Sequence, residues 1–191
     1  MRTVIHICCG VCAAGAASTL LGEGHDVRGF FYNPNIHPRD EYLRRLSAAQ
    51  AVAAQLHFTV EVPAYQHRDW SDLAAPLADA PEGGARCEVC YRLRLGMTAA
   101  YAKENGFDAF TTTLTVGPRK RADAINRIGK EIGGDLFLAR DFKKKDGFKR
   151  AVELAARWNL YRQDYCGCEF SLRAGISARR QGTVASPPPP V

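Results

Sequence analysis

The chain has 191 residues, 46% of them hydrophobic, enough for one domain with a full core. No stretch approaches the length of a membrane span, and 26 lysines and arginines against 20 acidic residues leave a net charge of +6. An integral membrane protein is thereby set aside and a polyanionic partner favoured.

In chain order, residues 2–8 (RTVIHIC) read as a strand and 11–22 (VCAAGAASTLLG) as a small-residue helix able to lie close to a sheet. Residues 26–32 form the next strand. After NPNIHP, whose prolines block helix, residues 39–56 carry an amphipathic pattern through Tyr42, Leu46, Ala49, Ala53 and Leu56. HFTVEV (57–62) is a strand, APLADAPEGGAR a polar connection, and 88–105 a helix ended by Gly106. DAFTTTL (108–114) is a β-branched strand, RADAINRIGKEIG (121–133) a helix and DLFLA (135–139) a short strand. A helix over 147–158 and another after Cys168 close the fold. The alternation predicts a single-domain α/β fold, with a mostly parallel sheet, helices on both faces and a ligand site at the strand carboxyl ends, Rossmann-like or HUP-like. The domain is expected over residues 1–181, and the Pro-rich tail over 182–191 is expected to be disordered.

Seven cysteines fall in three groups: Cys8, Cys9 and Cys12 in HICCGVC, Cys87 and Cys90 in RCEVC, and Cys166 and Cys168 in YCGC. These spacings bring sulfurs within reach of common centres and point to metal and redox chemistry. A structural zinc takes about four ligands, which leaves three sulfurs to explain. The first group lies where the first strand meets the first helix. Sharing one centre there requires a turn, because adjacent strand residues point to opposite faces. Cys87 and Cys90 share one helical face. A disulfide between Cys166 and Cys168 would close a small strained ring suited to a redox relay, while two thiolates on a glycine hinge equally suit a second metal. The opening MRTVIHICCG lacks the long apolar region and cleavage site of a secretory signal, so a cytoplasmic protein with reduced thiols is expected.

The basic runs include GPRKRAD and RDFKKKDGFKR, so Arg119, Arg121, Lys143, Lys144 and Lys145 are candidates for nucleic-acid phosphates. His6, on the apolar first strand, reads as a satisfied core histidine.

The motifs HICCGVC, YNPNIHPRDEYLRR, RCEVCYRLRL, TTTLTVGP, DFKKKDGFKRA and LYRQDYCGCEFS, in this order, resemble the epoxyqueuosine reductases of the QueH type, the cobalamin-independent class. The resemblance covers nearly all of the chain except the tail. Two departures are visible: CCGVC stands where the family commonly has CCAPC, and Gly117 where serine is usual. The resemblance implies reduction of epoxyqueuosine to queuosine at the wobble nucleotide of a tRNA. It implies a [4Fe-4S] cluster on Cys8, Cys9, Cys87 and Cys90, with Cys166 and Cys168 as the redox-active pair. Arg86, Arg92 and Arg94 would then soften the negative charge of the cluster site. A second mononuclear metal near Cys12, Cys166 and Cys168 would be mechanistically useful, as would an external one-electron donor of ferredoxin or flavodoxin type. Epoxide oxygen leaves poorly unless protonated or bound to a Lewis acid. Asp164 is the leading candidate for that task, beside Tyr165, His37 and Asp141, and His37 is also a candidate substrate contact. Two other classes remain: a zinc-stabilised RNA-binding module, and an ATP-pyrophosphatase-like tRNA-modifying enzyme, for which HICCGVC lacks the Gly- and Ser-rich phosphate loop.

Overall fold

Val4 and Ile5 are neighbours in sequence and both fully buried, yet they belong to two different apolar clusters. Alternating side chains buried on both faces mark a strand covered above and below. In the computed structural model, which describes residues 1–172, this is the central strand β1 (Arg2–His6). It pairs in parallel with β2 (Asp26–Phe30) on one side and β4 (Ala109–Thr112) on the other, and β3 (Thr59–Glu61) flanks β2. The order β3-β2-β1-β4 bears out the parallel α/β expectation. It also puts a topological switch point at the carboxyl end of β1, where open α/β sheets bind ligands.

One face is covered by α1 (Gly10–Gly22), α2 (Arg39–Gln55) and α6 (Gly147–Arg157), packed with Ile5, Ile7, Val27 and Phe31. The other carries α4 (Ala85–Glu104) and α5 (Ala122–Gly133), whose Leu95, Ile125 and Ile128 meet Val4, Phe30 and Phe110. Each large side chain so buried contributes about 1.5–3 kcal/mol. Helix α1 approaches its neighbours closely because it presents almost no side chain. A Cβ added at Gly10 would stand 2.7 Å from the Ala48 Cβ of α2, and one at Gly15 would stand 2.7 Å from the Ala151 Cβ of α6. The stripe expected on α2 is inward, with Tyr42, Ala49 and Ala53 buried.

Two expectations need correction, and one helix lies where the sequence suggested no element. DLFLA forms no strand. A 3-10 turn occupies Gly134–Leu136, and the segment touches the sheet through a single bridge, Phe110 to Phe137, with Leu138 N donating to Phe110 O at 2.8 Å. The turn takes up Asp135 and Leu136, so only the stretch at Phe137 and Leu138 meets β4. The stretch before APLADAPEGGAR contains a helix, α3 (Arg68–Ala74), anchored by the buried Trp70, whose period is too short to stand out in sequence. The end of DAFTTTL leaves the sheet as a 3-10 turn, Thr113–Val116, in which Thr112 Oγ1 accepts from Leu114 N. The helix expected after Cys168 begins at Glu169, and its later part, the boundary at 181 and the tail over 182–191 lie outside the described residues. Among the described residues no helix is long and apolar enough to cross a membrane.

Candidate metal and redox site

Strand β1 ends at His6 and α1 starts at Gly10, so Cys8 and Cys9 occupy the turn at the switch point. Cys9 is the N-cap of α1 in extended conformation (φ −171°), and its sulfur accepts from Cys12 N at 3.4 Å. That places Cys12 in the first helical turn, over the cap. The sulfurs of Cys8, Cys9 and Cys12 all lie within 4.8 Å of one another, a grouping that could hold a metal. Thr113, from the turn after β4, binds Cys8 twice: its hydroxyl accepts from Cys8 N at 3.0 Å and donates to Cys8 Sγ at 3.2 Å. Hydrogen bonds from Cys12 and Cys9 draw the Cys8 thiol well below its ordinary range. On Cys9 the Cys12 contact acts downward, but the contact with Cys8 and burial outweigh it and push the thiol up to about 12. Cys12 is raised by its hydrogen bonds to Cys8 and Cys9 and by burial. Of the three thiols, Cys8 is thus the one drawn toward its ionised form.

A second set of thiols lines a small cavity beside it. Cys87, Cys90, Tyr91 and Arg94 form one stripe of α4 at helical spacing, and Cys166 and Cys168 face them, with Trp70 and Lys120 completing the wall. Cys168 packs in one cluster with Cys90 and Trp70. Arg94 is buried, and among the described residues none of its hydrogen-bond partners is a carboxylate. Its guanidinium donates to Asn33 Oδ1 at 2.6 Å, to His6 Nε2 at 3.4 Å and to Cys90 Sγ at 3.8 Å. Burial opposes its charge, and the Cys90 and Cys8 thiols more than offset this, so Arg94 is held charged between the two thiol groups. Lys120 Nζ donates to Cys166 Sγ at 3.3 Å and to Glu82 Oε1 at 3.3 Å. Burial again opposes the charge, and Cys166, Tyr91 and Glu82 overcome it. A hydrogen bond from Cys168, aided by the Lys120 charge, takes Cys166 well below the usual thiol range despite its burial, while the same hydrogen bond raises Cys168. Burial raises Cys87 and Cys90.

His6 is the core histidine expected. Burial and then Arg94 lower it to about 3, so the ring is neutral. His6 Nδ1 lies 2.9 Å from Thr112 Oγ1, and its Nε2 lies 3.3 Å from Tyr32 O and 3.4 Å from Arg94 Nε, so the ring is held at both nitrogens.

The other candidates are distributed around this centre. All seven cysteines are free thiols, so the Cys166 and Cys168 pair is in its dithiol form. Cys12 groups with Cys8 and Cys9, the turn at the helix start keeping it with its own motif. His37 is exposed at the edge of the Cys166–Cys168 turn, its N donating to Gly167 O at 2.8 Å and its ring 5.1 Å from that of His67. Tyr165 OH donates to His37 O. Asp164 is exposed and lies outside the cavity wall, and Asp141 pairs with Lys143 at 3.8 Å. Lys144, Lys145 and Arg119 are exposed, and Arg121 pairs with Asp123 at 2.7 Å. Lys143 Nζ donates to Lys120 O at 2.7 Å, which ties the two basic segments together beside the cavity. Of the three arginines expected to flank the cysteines, Arg94 and Arg86 line the cavity, whereas Arg92 pairs with Glu131 on the surface. Lys120 and Thr113 escaped sequence reasoning. Lys120 looked like one more charge in GPRKRAD, and the available signal was its place just after β4, beside the switch point.

Comparison with known proteins agrees with this site. A family model described as epoxyqueuosine reductase QueH matches residues 3–174. A protein of that name from Thermotoga maritima is 38% identical over 179 residues, covering 90% of this chain and 91% of its own. One from Streptococcus pyogenes serotype M1 is 35% identical (89% of this chain, 70% of its own), and one from Dehalococcoides mccartyi is 33% identical (89% and 92%). With a family match over nearly all of the described residues and relatives of this likeness across most of its length, the chain belongs to the epoxyqueuosine reductase QueH family of oxidoreductases.

Proposed function

We propose that this protein reduces epoxyqueuosine to queuosine at the wobble position of tRNA, the last step of queuosine biosynthesis, with a [4Fe-4S] cluster on Cys8, Cys9, Cys87 and Cys90. The observation that carries the reading is Arg94. A buried guanidinium with no carboxylate partner among the described residues, set among thiols from both groups, calls for an anionic centre between them. A cluster held by four thiolates is net negative and fits that requirement, and the donor set is all sulfur. When bound, the cluster supplies electrons one at a time.

The protein's own residues have the remaining tasks. Opening the epoxide to the alkene consumes two electrons and two protons and releases the oxygen as water. Cys166 and Cys168 are the redox-active pair, with the more acidic thiol, Cys166, beside Lys120. The oxygen must be protonated or held by a donor as it leaves. The Lys120 ammonium and the Tyr91 phenol line the cavity and would serve the leaving oxygen, and Asp164 on the outer side of the turn would pass protons in from solvent. Lys143, Lys144, Lys145, Arg119 and Arg121 would hold tRNA phosphates, and His37 would meet the substrate at the rim. A ferredoxin- or flavodoxin-like donor in the cytoplasm would supply the electrons.

The test is metal analysis and turnover on anaerobically purified protein. About four irons and four sulfides per chain are expected, with conversion of epoxyqueuosine in tRNA when a one-electron donor is added. Protein that carries zinc alone and leaves the modified tRNA unchanged would overturn the reading in favour of a zinc-stabilised RNA-binding module.

A further inference from the structure

DEYLRR in α2 and YRQDYCGC near the end of the described chain stand 120 residues apart at the Arg45–Tyr165 contact, and they interlock around one buried arginine. The Arg45 side chain is 3% exposed. Its Nε donates to Glu41 Oε1 at 2.6 Å, its Nη1 to Cys166 O at 3.0 Å and its Nη2 to Tyr165 O at 3.0 Å, with the guanidinium 5.2 Å from the centre of the Tyr165 ring. Glu41, 1% exposed in its side chain, is fixed in turn by Tyr161 OH at 2.6 Å and Arg44 Nη2 at 2.8 Å, both on Oε2. The next carbonyl, that of Gly167, accepts from His37 N. Three consecutive carbonyls of the thiol-bearing turn are therefore held from outside the turn.

Gly167 shows how closely this grip fits. Its φ of +112° is a conformation that side chains rarely adopt, and a Cβ there would lie 2.9 Å from Arg45 Nη1 and 3.1 Å from Ile36 Cγ1. The two sulfurs take no part in the grip. Cys166 Sγ is left to Lys120, and Cys168 Sγ accepts from Ser171 N at 3.4 Å. Stability alone gives a poor account of a buried ion pair here, since well-packed apolar residues of similar size commonly do as well or better. A planar fork, however, fixes the direction and spacing of two carbonyls at once, which neither an apolar residue nor a lysine does.

We propose that Arg45, braced by Glu41 and Tyr161, is the positioning residue of the Cys166–Gly167–Cys168 turn and sets where both thiols stand in the cavity. Its effect on turnover rests on the redox role proposed for that pair, whereas its grip on the turn does not.

Two measurements on anaerobic, metal-loaded protein separate these parts. The first follows iodoacetamide labelling of each cysteine by peptide mass at one fixed pH, without substrate. Cys168, buried in the parent, should label about tenfold faster in Arg45→Lys and a few-fold faster in Tyr161→Phe, with Cys87 and Cys90 unchanged. The second is steady-state turnover, in which Arg45→Lys should lower kcat by about tenfold or more with KM within about twofold, at unchanged iron content and visible spectrum. Cys168 protected as in the parent would overturn the grip. Cys168 freed with the parent's kcat would overturn the redox role of the pair and leave the grip standing. Should Arg45→Lys lose its iron through misfolding, Tyr161→Phe keeps the fork and decides, and parental labelling and kcat in that variant overturn the proposal.

Discussion

Cys8, Cys9 and Cys12 come together because one strand ends and one helix begins, whereas Cys87, Cys90, Cys166 and Cys168 come together only because α4 and the turn before residue 169 pack against each other. The first group is fixed by backbone and a hydroxyl: a sulfur that caps its own helix, and Thr113 bonded to Cys8 from the neighbouring strand's end. The second is fixed by charge, with Arg94 on one side and Lys120 on the other. A local group can be assembled before the domain is complete. A charged one depends on tertiary packing, because a buried cation is tolerable only with its partners in place.

The largest effect should come from linking or unlinking the two groups. Replacing Cys87 with Ala removes one thiol from the cavity while the trio stays whole. If the cluster spans both groups, iron and sulfide in anaerobic protein should fall to background. Full iron content would show that the trio suffices and that the ligand assignment is wrong. Next in size, Cys168→Ser should stop turnover while most of the cluster spectrum survives, because this thiol is assigned to the redox pair and not to the ligands. Loss of the spectrum in step with activity would make it a ligand.

A third variant probes the floor beneath both groups. His6 is held neutral by burial at about 3 against an ordinary 6.5, so its contribution to stability is complete above 6.5 and is lost as the pH falls from there towards 3, where only the unfolded chain takes up the proton. Between pH 6 and 4 the metal-free parent should lose about 2–3 kcal/mol more than His6→Gln, at 1.36 kcal/mol per pH unit in the fully linked range. An equal loss of stability in parent and His6→Gln between the two pH values would show that the ring takes up its proton in the fold. The smallest effect lies outside both groups. Lys143 braces Lys120, so the clean probe of phosphate binding is Lys144 and Lys145 changed together to Ala. The salt slope of tRNA binding should fall by about two, with iron content unchanged. An unaltered slope would make these lysines a solvated loop.

The contrast also explains what could be read from the chain. Hydrophobic alternation in VIHI and the stripe of α2 are local properties, and both appear where they were expected. The turn at Cys8 and Cys9 was legible for the same reason: two adjacent cysteines can share a centre only if the strand ends there. The partners of the cavity were not legible in this way. Whether Arg92 or Arg94 faces inward depends on helical phase relative to a cavity that exists only after packing, and Arg94 falls on the stripe of Cys87 and Cys90 while Arg92 does not. Lys120 sits among similar charges, and only its neighbour across the cavity, Cys166, sets it apart. DLFLA misled because its β-branched-poor apolar run carries the pattern of a strand but its first two residues are taken up by a 3-10 turn.

Helix α1 carries a consequence for the evolution and redesign of this protein. At Gly10 and Gly15 it meets α2 and α6 with no space for even a methyl group, so the helix that begins the thiol turn is wedged from both sides by bare backbone. A wedge of this kind has no adjustable part. In a library of random variants, positions 10 and 15 should therefore stand out as intolerant as the cysteines themselves, although neither residue touches a substrate, and sequence drift in α2 and α6 is restricted to small residues at 48 and 151 for as long as the wedge is kept.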